Sequence, residues 1–397
     1  MVESRIAVKA GITLLGKELE IRRNIQITIE DGVIASIGLS SVEPSNYYNI
    51  VDCRSGIVMP PLINSHTHTG DIGFQEVGYD LDIDSLVGEP YGLKYIYLER
   101  YGLEISDYIE YFLELSLESG VGAVADFREG GLEGFRAGFE ASKRVYGITY
   151  IPMYMPKPLR GPSQSYYSID HISRDLLEIK NLYSVNRWIA ISSPHYYTLE
   201  DLKAIDKIAS RENFHIASHI AETRDTRSES DFEKIKDLEN IRLAVHGYWL
   251  NVDELEYLRE RNIYLAICPR SSMWFEGTIP DLKAIKESEI QFTVGTDNGA
   301  WVKPDLWREL EALATISRMQ GNILEPLEII KASTVVPGEL FNIENYIEEN
   351  VFARLICIRS RWIDLRYAKN IPIYIVKRSG IESIYFMVLG NRVIYKT

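Results

Sequence analysis

The sequence predicts an α/β fold: a (β/α)8 barrel of TIM type plus a small β-sandwich domain formed by both termini. Three observations carry this. Apolar runs of strand length recur through the middle of the 397-residue chain, and helical patterns separate most of them. Both ends are β-rich and punctuated by turn residues. Continuous apolar strands alternating with helices indicate a parallel sheet covered on both faces. Eight such strands are enough to close a barrel.

The N-terminal segment contains "IQITIEDGVIASIG", with isoleucines at 25, 27 and 29, an Asp31-Gly32 turn and a return strand from Val33. This is a hairpin pattern. The C-terminal "IPIYIVKRSGIESIYFMVLGNRVIYKT" reads as strands broken at Ser379-Gly380 and Gly390-Asn391. Between them lie the run before His66, then "GAVADF", "ITYIPMYM", "WIAISSP", "FHIASH", "LAVHG", "IYLAICP" and "FTVGTD". "SDYIEYFLELSLESG" and "TLEDLKAIDKIASREN" are among the intervening helices. The division this implies is 1–59 with 346–397 for the β domain and 60–345 for the barrel.

Composition narrows the function. The hydrophobic fraction is 46% and the charged fraction 25%, ordinary for a globular enzyme. A net charge of -14 opposes nucleic acid and anionic membranes as main partners, since a phosphate backbone demands a basic footprint. No long uncharged apolar run predicts a transmembrane helix. The three cysteines, Cys53, Cys268 and Cys357, are far apart and odd in number, so no disulfide framework or Cys-x-x-Cys metal pattern is expected. A reducing cytoplasm is the simplest compartment, with a small molecule as the expected partner.

In such barrels the chemistry sits where the strands end. His66 and His68 end the first strand, Asp126 and Arg128 the second, and His195 the fourth. His219 ends the fifth with Glu222 just beyond. His246 ends the sixth, Arg270 and Ser271 the seventh, and Asp297 the eighth. Five of the seven histidines fall on this rim. Residues two apart on a strand point the same way, so His66 and His68 face the axis together. The pair alone is equally two hydrogen-bonded histidines without a metal. With His219 and Asp297 it becomes three imidazoles and a carboxylate, a donor set suited to Zn2+ or Fe2+ with a position left open for water. Taken alone, Glu222 reads as a solvated glutamate at a helix N-terminus and His246 as a core histidine. His215 reads as packing in a deeper layer and His171 as surface.

"MPPLINSHTH", "SPHYYT", "HIAE", "AVHGYWL", "CPRSSMWF" and "VGTDN" follow one another between residues 58 and 298. In that order they resemble the amidohydrolase superfamily, and within it the cytosine deaminase, S-adenosylhomocysteine deaminase and triazine chlorohydrolase branch. The resemblance implies that His66, His68, His219 and Asp297 are the metal ligands. It implies that Glu222 shuttles a proton to a ring nitrogen, His246 hydrogen-bonds the hydrolytic water, and His195 contacts substrate. Dinuclear members carry a carboxylated lysine at the end of strand four. Here that position is Pro194-His195, and Lys157 follows strand three, so one divalent metal per chain is expected, zinc first and iron second. The resemblance leaves a homodimer open.

The implied chemistry is attack by a metal-bound hydroxide on an sp2 carbon, with Asp297 accepting the water's proton and ammonia expelled. The expected reaction is hydrolytic deamination of an aminated heterocycle or nucleoside-like compound. Hydrolysis of a cyclic amide or imidazolone, or dechlorination, uses the same machinery; a non-catalytic scaffold on the same barrel is the reading from another class. His195, Arg128, Arg270 and Trp301 are expected to complete the substrate pocket, the arginines gripping a carboxylate or phosphate or else serving salt bridges across the rim. The chain departs from the family in its loop at 70–94, in Pro61, in "DFREGG" and in "EENVFARLICI". These departures bear on the substrate rather than on the chemistry.

Overall fold

Seven parallel strands follow one another around the centre of the computed structural model: Leu62–His68, Val121–Arg128, Thr149–Tyr154, Trp188–Ile191, His215–Ile220, Ile241–His246 and Tyr264–Ile267. The structure describes residues 5–40, 48–100, 104–160, 165–184, 186–228, 231–361 and 363–395. The eighth position is split. Phe292–Val294 pairs with the seventh strand and Asp297–Asn298 with the first, which closes the barrel. The split has a local cause: a Cβ at Gly295 would lie 2.6 Å from the His66 carbonyl oxygen, so the chain passes strand one only as glycine. The first two strands are buried along their whole length, as continuous apolar runs require.

The covering helices start and stop where their sequences say. Leu199–Glu212 begins at Thr198, whose hydroxyl accepts from the Asp201 amide at 3.1 Å, and ends at Asn213 in the left-handed region. It buries Leu202, Ile205, Ile208 and Ala209, one face of a 3.6-residue period.

The termini build one seven-stranded sheet with its own apolar core, which includes Val8, Ile27, Leu355 and Phe386. Arg5–Leu15, Glu20–Glu30, Val33–Leu39 and Tyr48–Met59 come from the front of the chain. Arg354–Ile358, Ile384–Leu389 and Arg392–Tyr395 come from the back. The two halves meet antiparallel, with Cys357 opposite Val58. The Asp31-Gly32 turn has both residues at positive φ, which matches the twist of the strands it joins.

Two expectations are corrected here. "IPIYIVKR" is a helix, Ile371–Arg378, not a strand. Its isoleucines alternate, which suits either period. The Asn370 side chain accepts from the Ile373 amide, Pro372 sits in the first turn, and Ile371, Ile375 and Val376 bury one helical face in the barrel's apolar cluster. The second correction is a disulfide, Cys53–Cys357, across 304 residues with the Cα atoms 6.1 Å apart. Separation along the chain says nothing about separation in space when one sheet is woven from both termini. Cys268 is buried and free. Among the described residues no helix is long and apolar enough to cross a membrane.

Candidate active site

His66 lies fully buried at the end of barrel strand one. Its Nε2 is 3.2 Å from His219 Nε2 and 3.3 Å from Asp297 Oδ1. His68, two residues on, places Nε2 3.6 Å from the same carboxylate oxygen. His66 thus joins two overlapping groups of possible ligands, one with His68 and Asp297 and one with His219 and His246. Tetrahedral zinc with bonds of about 2.0–2.1 Å separates its donors by roughly 3.3–3.4 Å, which is close to the spacing His66 Nε2 keeps from His219 and from Asp297. The hydrogen bonds behind the ligands agree. His219 donates Nδ1–H to the Ser192 carbonyl at 2.5 Å, which leaves Nε2 as the donor toward an ion. Burial lowers the pKa of His66 and drives that of His219 well below the ordinary range, so both imidazoles are neutral, the form that binds metal.

Strand ends aim the remaining groups by unusual backbone geometry. His246, Asp297 and Ala221, the residue before Glu222, all adopt positive φ, and non-glycine residues held there cluster at functional sites. His246 Nε2 lies 3.4 Å from Glu222 Oε1. Burial pushes His246 down to about 3. Desolvation, with the neighbouring Asp297 charge, raises the Glu222 carboxyl well above the usual range. Burial also works to raise Asp297, but the hydrogen bond with His66 and the electrostatic pull of the imidazoles of His246, His66 and His68 hold it well below that range. Two carboxylates in one pocket are therefore driven apart, one toward acid and one toward base.

The pocket above these atoms is also lined by His195, Asp84, Glu89, Lys94 and Glu129. His195 Nδ1 is 2.8 Å from Ser193 Oγ, and its ring lies against Tyr196.

With this geometry in place, comparison with known proteins adds the lineage. Residues 57–370 match the amidohydrolase family. The chain belongs to the amidohydrolase family. Among the relatives of this amidohydrolase is the 5-methylthioadenosine/S-adenosylhomocysteine deaminase of Pyrococcus furiosus, 25% identical over 405 residues, covering 95% of this chain and 93% of that one. The zinc-bound adenosine deaminase of Xanthomonas campestris superposes with a TM-score of 0.82 at 15% identity, covering 99% and 94% of the two chains. The guanine deaminase of C. acetobutylicum with bound guanine does so with a TM-score of 0.82 at 17% identity, covering 99% and 100%.

Three residues expected to hold substrate are engaged by groups of the amidohydrolase itself, although Arg128 also lines the cavity beside the pocket. Arg128 is fully buried, its guanidinium 2.6 Å from Glu129 and 3.3 Å from Asp126. Arg270 binds Glu309 at 3.2 Å and the Lys303 carbonyl at 3.0 Å. Trp301 packs under the loop at 74–98, with its indole N–H donated to the Val77 carbonyl at 2.8 Å. Carboxylates close to both arginines in the fold claim their charges. Of the other histidines, His215 is exposed at the start of strand five over the Trp188 ring, and His171 is exposed on helix Ile169–Leu182. Lys157 is exposed past strand three, in the lining of a cavity beside the pocket.

Sequence reasoning missed Glu129, Lys94 and Asp71. Asp71 and Glu129 come within ligand distance of His68, and Lys94 is paired with both carboxylates. For Glu129 the available signal was the run of charges in "DFREGG", one residue past the end of strand two.

Proposed function

We propose that this chain is a metal-dependent hydrolytic deaminase of an uncharged aminated heterocycle or nucleoside-type compound, working in the cytoplasm with one zinc ion per chain. The observation that carries the reading is the apposition of Glu222 and His246, 3.4 Å apart, beside the two ligand groups that share His66, one with His68 and Asp297 and one with His219. A divalent ion held by these residues would supply an acidified water, its pKa lowered toward neutrality.

The protein's own groups supply the rest. Asp297, kept ionised by its histidines, accepts the water's proton. His246, neutral, offers a hydrogen bond to the attacking oxygen. Glu222, kept protonated, delivers a proton to the ring nitrogen next to the carbon under attack, which makes that carbon more electrophilic. Asp297 then returns its proton to the amino group, Glu222 retakes one from the added hydroxyl, and the adduct collapses to a carbonyl and ammonia. General acid–base assistance of this kind contributes about 10²–10⁴-fold. His195, at the pocket wall, is proposed to contact the substrate.

The charge of the pocket argues for a substrate without phosphate or carboxylate. The lysine in its lining, Lys94, is already paired with Asp71 and Glu129, and Arg128 and Arg270 are held by carboxylates, so no lysine or arginine among the described residues of the lining is free to receive an anion. An adjoining cavity of about 180 Å³ shares Glu89, Tyr95, Glu129 and Met155 and leaves room for a substituent. The name of the Pyrococcus relative supports a nucleoside. The buried disulfide is compatible with a cytoplasmic site where the source grows hot.

Ammonia release by zinc-loaded protein, tested against adenine nucleosides, their 5′-phosphates, guanine, pyrimidines and pterins, checks the reading. Turnover of a phosphate-free amino compound is expected. Faster turnover of the phosphorylated forms removes the charge argument, and hydrolysis of a cyclic amide without any ammonia replaces the reaction.

A further inference from the structure

The loop that departs from the family carries a lysine buried against the metal cluster. Lys94, on helix Leu93–Arg100, is 3% exposed. Its Nζ lies 2.9 Å from Asp71 Oδ2 and 2.5 Å from Glu129 Oε1. That same Oε1 is 2.5 Å from His68 Nδ1, and Arg128 donates to Oε2 at 2.6 Å. One buried carboxylate thus sits between two cations and one imidazole. A buried charge is tolerated only when it is paired and hydrogen-bonded, and Lys94 with Arg128 supplies that pairing.

An ionised carboxylate accepts hydrogen bonds and donates none. Facing it, His68 must carry its proton on Nδ1, which leaves the lone pair on Nε2, the atom turned toward Asp297. A carboxylate behind a ligating imidazole fixes its tautomer and ring orientation. The unusual element is where its cation comes from. Phe74 and Leu86 form a small apolar cluster of their own with Ala300 and Trp301, separate from the main barrel core, and Leu93 and Tyr97 pack against it. The segment from 74 to 98 therefore forms a cap with little apolar anchorage, and Lys94 is one of its polar ties to the barrel.

We propose that Lys94 is a positioning residue that makes this cap part of the metal site, acting through Glu129 on His68, so that docking of the cap and binding of the metal strengthen each other. The proposal rests on the reading of His68 as a metal ligand. Coupling of this kind is reciprocal: the factor by which a docked cap tightens metal binding is the factor by which metal favours the docked cap.

Two measurements on the full chain test it. In Lys94→Met, zinc affinity measured by competition with a chromogenic chelator is expected to fall about 10–100-fold, the range for lost partners behind a ligand. Limited proteolysis within 75–100 is expected to be slowed by zinc in the wild type and to become insensitive to zinc in the variant. Ile96→Ala, half-exposed on the same helix, is expected to leave both readouts unchanged. Glu129→Gln, which keeps the shape and removes the charge, carries the same expectations and the same thresholds if Lys94→Met does not fold. A folded variant within twofold of wild-type zinc affinity, or equal protection of the cap by zinc in both proteins, overturns the proposal. Failure of the metal-site reading itself shows differently, as a wild type that takes up no stoichiometric zinc, and it takes the proposal with it.

Discussion

Ser271 donates its hydroxyl to Oδ2 of Asp297, while Oδ1 of that carboxylate faces His66 Nε2 at 3.3 Å. The two oxygens are therefore assigned different partners. Thr67 Oγ1 pins the backbone as well, donating to the Asp297 carbonyl at 2.5 Å. The residue is held at positive φ by strand one on one side and by helix Pro269–Phe275 on the other. Ser271→Ala frees one oxygen to rotate. A drop of about 10–100-fold in kcat or zinc affinity is expected, with little change in thermal midpoint. Wild-type values for both would remove Ser271 from the site.

Glu222 and Asp297 should separate by what they lose. Glu222→Gln keeps the shape and takes away the transferable proton, so kcat is expected to fall by at least about 10²-fold while zinc content, read by elemental analysis, stays at one per chain. Asp297→Asn removes a donor as well as the base, so both turnover and zinc retention are expected to fall. Loss of zinc in Glu222→Gln would make Glu222 a ligand and reassign the acid.

The site's centre was legible because barrel geometry makes strand ends meaningful: His66, His68, His219 and Asp297 converge from elements that the apolar runs alone located. The arginines were not legible in this way. A strand-end guanidinium looks free in a sequence, and only the fold shows that Glu129 and Glu309 reach Arg128 and Arg270 first. Lys94 was harder still. It lies 26 residues past the end of strand one at His68, on a helix whose position depends on a small cluster around Trp301. The helix at 371–378 was hidden because Ile371, Ile373 and Ile375 satisfy a two-residue alternation until Val376 shows which face is buried. The disulfide was hidden because its cysteines come from opposite ends of the chain.

That disulfide closes about three-quarters of the 397-residue chain into a loop. A cross-link across 304 residues removes chain entropy from the unfolded state worth on the order of 5–6 kcal/mol in the loop-closure estimate. Both cysteines are fully buried in the core of the terminal sheet, away from the pocket. The double variant Cys53→Ala, Cys357→Ala is expected to unfold at clearly lower denaturant, while kcat/KM at moderate temperature stays within a factor of two. Denaturation midpoints that coincide with and without the cross-link would show that it adds nothing to stability.

Glu89, in the pocket wall but outside the ligand set, offers a pH test. It is 6% exposed, and its Oε2 accepts from Tyr167 at 2.6 Å and from Ser192, while Oε1 has no partner among the described residues. Burial, opposed by those hydrogen bonds and aided by the Glu129 charge, raises its carboxyl to about 7. In the unfolded chain the group ionises near about 4.3. Between these values the folded state binds a proton that the unfolded state has released, so stability falls as pH rises through this window and then levels off. The full effect is on the order of 3 kcal/mol. Glu89→Gln has no proton to lose. Its stability relative to wild type is expected to increase steadily from pH 5 to pH 7 in chemical denaturation, and parallel profiles for the two proteins would show that Glu89 is ionised in the fold throughout.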